Sequence, residues 1–293
     1  MIYQTGQAFR RALETRLLTQ SARDGVSLVR LRKMVAFDRF LARLLVAQPE
    51  HWLLKGGLAL QLRLGNRART TKDIDISLEL SRQNVGRALT AAAARDLGDW
   101  FSFVVRQESD PLPGLAGGGW RFAVTGLVDS RLFESFHIDV GLADTVLEPA
   151  DALTTPALLA FAGIAPLTVP CYPLSQHLAE KVHAYSKPPD SGVNTRVKDL
   201  VDILLIAEIG AMTAPTLRAA IRATFAAQGS GEPPASLPDP PVVWAAKYRS
   251  LALGCGLAAT NLPQGLAQAR AFLDPVLNNT TQGIWLPEQH IWR

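Results

Sequence analysis

The pattern that most restricts this chain lies in residues 54–77, LKGGLALQLRLGNRARTTKDIDIS, where Asp73, Ile74, Asp75 and Ile76 alternate acidic and apolar. Side chains along a β-strand point alternately to its two faces. A strand here would therefore bury both isoleucines and hold both carboxylates on the opposite face. Upstream, Gly56 and Gly57 open a short amphipathic helix, and a basic turn with Arg67, Arg69 and Lys72 joins helix to strand, its three cations reading as contacts to a triphosphate tail or an RNA backbone, or as solvated charge. A helix N-terminus offers unpaired N–H groups and partial positive charge. Two carboxylates facing such an end are expected to hold a metal-chelated polyphosphate.

The surrounding chain reads as a mixed lobe followed by a helical one, an α+β organisation with a soft boundary near residue 145. Residues 7–47 carry helical spacing for two helices, with Ser27 as N-cap of the second. After a helix at 57–64 come a strand at 73–80 and an Ala-rich helix from Ser81 to about Leu97. Strands are then expected at Phe101–Glu108, Trp120–Val128 and Ser135–Leu142, with the loop 110–119 between the first two. Residues 144–172 read as an irregular connector with short helices. Helices follow at Leu174–Ser186 and Arg196–Ile209, joined by the turn KPPDSGVN, and again near 213–227, 242–253 and 263–273. The domains expected are thus 1–145 and 146–293.

Nucleotide transfer from a triphosphate needs divalent ions roughly 3.5–4 Å apart, to activate the attacking hydroxyl and steady the departing pyrophosphate. Carboxylate oxygens suit such ions. Asp139, flanked by Ile138 and Val140 in HIDV, is the natural third acid. Alone it would read as a solvated strand position; beside Asp73 and Asp75 it reads as a metal ligand. In the helical half, Lys181 lies at the edge of the stripe Leu174, Leu178, Val182 and Tyr185. It is expected either to snorkel outward or to meet an anion such as a triphosphate. Asp202 sits inside the apolar run 200–206, where a lone buried carboxylate is costly. It therefore needs a partner, Lys181 or Arg196 being nearest to hand. Asp199 lies off the main stripe and reads as exposed. Thr71, two residues before Asp73, would share its face on a continuing strand, where a phosphoryl group would oppose metal binding. The five histidines show no ligand spacing.

KGGLALQLRLGNRARTTKDIDIS, HIDV, LAEKVHAY and RVKDLVDILLI, in that order, resemble the AbiEii/MenT-like nucleotidyltransferase toxins of bacterial toxin–antitoxin systems. The resemblance covers roughly residues 50–210. It implies a bilobed fold with a polymerase-β-like nucleotidyltransferase core, a small mixed sheet flanked by helices, plus a helical C-terminal lobe. It implies that Gly56 and Gly57 form the phosphate turn and that Asp73, Asp75 and Asp139 are the metal acids. Lys181 and Asp202 match residues needed for activity, and Arg196 and Asp199 fall at neighbouring motif positions. Leu58 departs from the pattern, replacing a small hydroxyl residue often found after the glycines. The implied cofactor is Mg²⁺ (or Mn²⁺) in a two-metal site, with an NTP as substrate. The implied reaction adds nucleotides, pyrimidines such as those of CTP, to the 3′ end of tRNA and so blocks aminoacylation. A cognate antitoxin would neutralise it.

A net charge of +4 and a pI near 9.3 permit a nucleic-acid partner. Two cysteines outside any CxxC array, and no signal-peptide core or membrane span, lead to the expectation of a cytoplasmic protein. Two other readings stand beside the RNA-directed toxin. One is a transferase of the same fold acting on a protein hydroxyl or a small molecule. The other is a nucleotide- or RNA-binding module without catalysis.

Overall fold

A computed structural model describes residues 2–78, 84–108, 119–142, 146–187 and 196–293. Contacts divide the chain into two units, Met1–Arg63 with Thr70–Ala143 and Ala152–Cys171, and Leu64–Arg69 with Asp144–Asp151 and Tyr172–Arg293.

The first unit begins with α1 (Gly6–Asp24) and α2 (Leu28–Ala47). Thr5 accepts from the Ala8 amide and Ser27 from the Arg30 amide, so each helix has a side-chain N-cap. Then come β1 (Trp52–Lys55), α3 (Gly56–Leu64), β2 (Asp73–Leu78), α4 (Val85–Ala93), β3 (Phe101–Gln107), β4 (Gly119–Val128), β5 (Arg131–Leu142), β6 (Asp151–Thr154) and β7 (Thr168–Cys171). The seven strands form one mixed sheet in the order β3-β4-β5-β2-β1-β7-β6. Its buried face takes Ile74, Ile76, Ile138 and Val140, none of them accessible, against a core built largely from Phe9, Leu13, Phe37 and Phe40 of the two long helices. The alternation of Asp and Ile thus has the effect expected of it.

Charge is also buried under this sheet. The Arg43 guanidinium donates to both Asp99 oxygens at 3.0 and 2.7 Å and to the Phe101 carbonyl at 2.7 Å. Arg39 pairs with Asp38 at 3.0 Å, and Asp38 accepts from Thr155 at 2.6 Å. Burial pushes the Asp38 carboxyl above its ordinary value, against the pull of Arg39 and the Thr155 hydroxyl.

Three expectations are corrected. The stretch 144–172 contains two short strands rather than helices and irregular chain alone, and β7 joins β1 in parallel through Leu54 and Cys171. Four-residue strands interrupted by Pro170 carry too little alternation to be read locally. Strand β5 starts at Arg131, four residues early, because Asp129 and Ser130 both adopt left-handed φ (53° and 57°) and close a two-residue hairpin with β4. Neither residue is glycine, so the usual hairpin signal is absent. The Ala-rich helix spans only Val85–Ala93. Residues 79–83, which end the expected strand and start the expected helix, the loop residues 109–118 and the turn residues 188–195 lie outside the described residues.

The second unit packs α5 (Leu174–Ser186), α6 (Val197–Ile209), α7 (Ala214–Ala227), α8 (Ala245–Gly254) and α9 (Leu262–Leu277). Helix α9 runs four residues beyond the expected end and carries Pro275 near its C-terminus. A small hairpin of β8 (Trp285–Leu286) and β9 (Ile291–Trp292) was not expected. Its Trp285 is buried, lies 4.5 Å from the Phe272 ring, and donates to the Ala207 carbonyl at 2.7 Å. Among the described residues, no helix is long and apolar enough to cross a membrane.

Candidate active site

Strand register assembles the polar face of the first unit. Lys55 of β1 stands opposite Asp75 of β2, Asp75 beside Asp139 of β5, and Asp139 opposite Arg121 of β4. One row across four strands therefore reads cation, acid, acid, cation. The neighbouring row holds Asp73 beside His137. All three acids expected from the sequence are on this face.

The glycine turn abuts the same carboxylates. Gly56 has φ of 63°, and a Cβ built on it would lie 2.0 Å from Asp75 Oδ2. Only glycine combines that backbone conformation with so close an approach. Gly57 is buried in the first turn of α3.

Around the acids, the Arg121 guanidinium donates in a fork to Asp139 at 2.7 and 2.6 Å. The hydrogen bonds to Asp139 hold Arg121 above its ordinary pKa, supported by the charges of Asp73 and Glu108. His137 bridges two acids, with Nδ1 3.3 Å from Asp73 and Nε2 3.2 Å from Glu108. Thr71 is buried ahead of the strand, which begins only at Asp73. Its hydroxyl donates to the Asp73 carbonyl at 3.2 Å, so it neither shares the acidic face nor stands open to modification.

Among the described residues, no three His, Cys, Asp or Glu side chains converge as a ready metal cage. Asp73 and Asp75 are nevertheless hard oxygen donors, and Gly56, having no Cβ, lets the Asp75 carboxylate pack against the turn that opens α3. This donor set fits a divalent cation bound through two carboxylates, with phosphate oxygens completing its shell.

The second unit holds a separate cluster. Lys181 Nζ lies 2.9 Å from Asp199 and 3.0 Å from Asp202. Arg69 donates in a fork to Asp202 at 2.9 and 2.8 Å. Burial pushes the Asp202 carboxyl up, but Lys181 and Arg69 outweigh it and hold it below the usual carboxylate range. Burial likewise works against the Lys181 charge, and Asp199 and Asp202 overcome it, raising Lys181 above an ordinary lysine. The partner required by Asp202 is thus Lys181, as expected, together with Arg69. Asp199 is buried rather than exposed, because Lys181 pairs with it. Arg196 stands 4.0 Å from Asp199, Arg67 pairs with Glu208, and Lys72 is exposed.

Residues 39–275 match the family described as nucleotidyl transferase AbiEii toxin of the type IV toxin–antitoxin systems. The chain belongs to that family. No protein of curated function matches it in sequence. Among solved structures, the nucleotidyltransferase toxin MenT4 from Mycobacterium tuberculosis H37Rv shares 21% identity over 72% of this chain and 68% of its own, with a TM-score of 0.50. JHP933 from Helicobacter pylori shares 12% identity over 84% of this chain and 92% of its own, with a TM-score of 0.42.

As an AbiEii toxin, the chain is a nucleotidyltransferase that takes a nucleoside triphosphate and is paired with an antitoxin. Its α+β fold, a mixed sheet flanked by helices with a helical C-terminal part, matches that of MenT4. Four polar residues of the acidic face, Lys55, Arg121, His137 and Glu108, escaped the sequence reading. His137 had a usable signal: it lies two residues before Asp139 and so on the same face of β5. Arg121 and Glu108 are placed by strand pairing that no local pattern announces.

Proposed function

We propose that this toxin transfers nucleotides, pyrimidines such as that of CTP, from an NTP to the 3′ end of tRNA, so that the tRNA can no longer be aminoacylated. The observation that supports nucleotide transfer is the placement of Asp73 and Asp75 on one sheet face with Gly56 packed against Asp75; the tRNA acceptor and the pyrimidine are what the family resemblance implies. Asp73 and Asp75 would hold Mg²⁺ or Mn²⁺, with Asp139 nearby as the third acid. Bound there, such an ion would supply charge neutralisation for the phosphates and a lowered pKa for the attacking hydroxyl.

The other steps belong to the chain's own side chains. The first amides of α3, after Gly56, present donors to phosphate oxygens. His137 fixes the orientation of Asp73 through Nδ1. The tRNA 3′ hydroxyl attacks the α-phosphorus and gives up its proton to solvent; a new phosphodiester bond forms as the α–β phosphoanhydride bond breaks, and pyrophosphate leaves. Lys181, Asp199 and Asp202 anchor residues 64–69 through Arg69, just before the chain enters β2. Exposed Lys72 and the basic balance of the chain suit an RNA backbone. The proposed setting is the cytoplasm, where tRNA and NTP are both present.

Incubation with each labelled NTP, Mg²⁺ and total tRNA tests the reading. Label in tRNA that disappears in Asp73→Asn supports it. Label in protein or in a small molecule instead would transfer the activity to a different acceptor. NTP binding without transfer to any acceptor would leave a binding module.

A further inference from the structure

Asp139 stands beside Asp75 in the parallel pairing of β2 and β5, where a cation bridging the two acids would be favoured by charge. Yet both Asp139 oxygens are taken by Arg121, at 2.7 and 2.6 Å. The pair is set by strand register rather than by a loop, Arg121 lying directly across from Asp139 on the adjacent strand. It is also accessible: 36% of the Arg121 side chain is exposed, against 18% of Asp139. The guanidinium can therefore leave without disturbing the apolar face of the sheet.

A guanidinium fork fits a phosphate as well as a carboxylate. Around Arg121 the field is acidic, from Asp139, Asp73 and Glu108. Bringing a divalent cation to Asp139 sets two positive groups against one carboxylate, so cation and arginine compete for the same oxygens.

We propose that Arg121 guards Asp139: without nucleotide it keeps the third carboxylate from a cation, and the phosphate oxygens of a bound NTP draw it away. This rests on reading Asp73 and Asp75 as cation ligands. It makes the second metal position conditional on nucleotide, so that cation alone does not complete the site. Arg121 acts here as a positioning residue that later meets phosphate.

The test counts Mn²⁺ bound to the full chain without nucleotide, from the paramagnetic resonance of the free ion. The wild-type chain should bind one Mn²⁺, Arg121→Ala two, and Arg121→Ala with Asp139→Asn one again. Equal counts for wild type and Arg121→Ala would overturn the guard. Arg121→Lys keeps the charge but cannot fork over both oxygens; it should admit the second ion more weakly than Arg121→Ala, and serves if the alanine variant melts early. Binding that survives Asp73→Asn with Asp75→Asn would instead defeat the underlying cation reading, whatever Arg121 does. Titration calorimetry with α,β-methylene CTP in EDTA addresses release. Arg121→Ala should weaken binding by at least about fivefold, the scale of one lost charge-assisted bond, and unchanged affinity would remove that half of the proposal.

Discussion

Asp73 and Asp202 are aspartates of two motifs in one chain, yet a third of the Asp73 side chain is exposed and none of Asp202. The acidic face of the first unit sets Asp73, Asp75, Asp139 and Glu108 against Lys55 and Arg121, with His137 between two of the acids. The second unit sets Asp199 and Asp202 against Lys181 and Arg69 and comes out balanced. Similar residue types therefore serve different ends. On the proposed reading, the accessible acidic face takes a cation, whereas the buried acids of the second unit already have Lys181 and Arg69 as partners. Removing an acid should cost activity in the first case and stability in the second.

The largest expected effect is on transfer. Asp73→Asn keeps the shape of the side chain but halves the carboxylate donors available to a cation, and should lower label transfer into tRNA by about 10²–10³-fold. Its unfolding free energy in urea should change by under about 1 kcal/mol, as for other partly exposed positions. Asp202→Ala should reverse the pattern. Breaking a buried ion pair costs about 3–5 kcal/mol, and here it removes the carboxylate that accepts the Arg69 fork and one of the two acids that hold Lys181. A midpoint that stays put in Asp202→Ala, with transfer abolished, would make the second cluster chemical rather than structural.

A smaller effect separates the glycine turn from either cluster. Gly56→Ala imposes a left-handed conformation on an L-residue, worth about 1–2 kcal/mol, and drives a methyl into the Asp75 carboxylate. Transfer should fall well beyond what the stability loss explains, because the displaced group is one of the two acids proposed to hold the cation. Loss of stability with normal transfer would break the link between turn and site.

How much of this was legible in the sequence varies with how local the cause is. Asp73 and Asp75 were legible because alternation with Ile74 and Ile76 is a property of consecutive residues. The need of Asp202 for a partner followed from an apolar run on both sides of it. The fork from Arg69 did not follow, since 133 positions separate the two residues and the basic turn read equally well as a phosphate or RNA contact. Asp199 was misjudged for a related reason. A helical wheel grades a position against its own helix, and the lysine that covers Asp199 lies on α5. The same limit hid Arg121, whose role depends on pairing between β4 and β5.

The smallest effects are those of pH on the second unit, and there the sign can be worked out group by group. His183 is held below its ordinary 6.5 by burial, with Lys187 and Arg196 adding to it, and its Nε2 lies 2.8 Å from the Ser230 hydroxyl. A depressed histidine binds its proton less readily folded than unfolded, so stability falls as pH drops below 6.5. Asp202 is also depressed, from 3.8, so its contribution is present above that value and is lost as pH falls through the lower folded value. Lys181 is raised from 10.5, so its contribution is complete below that pH and fades only above it. Urea midpoints from pH 7 down to 2 should therefore show two acid limbs. His183→Gln should remove the upper one and leave the lower. Asp202→Asn combined with Lys181→Met should do the opposite, and a single limb insensitive to both changes would mean that the cluster does not set the acid stability of this unit.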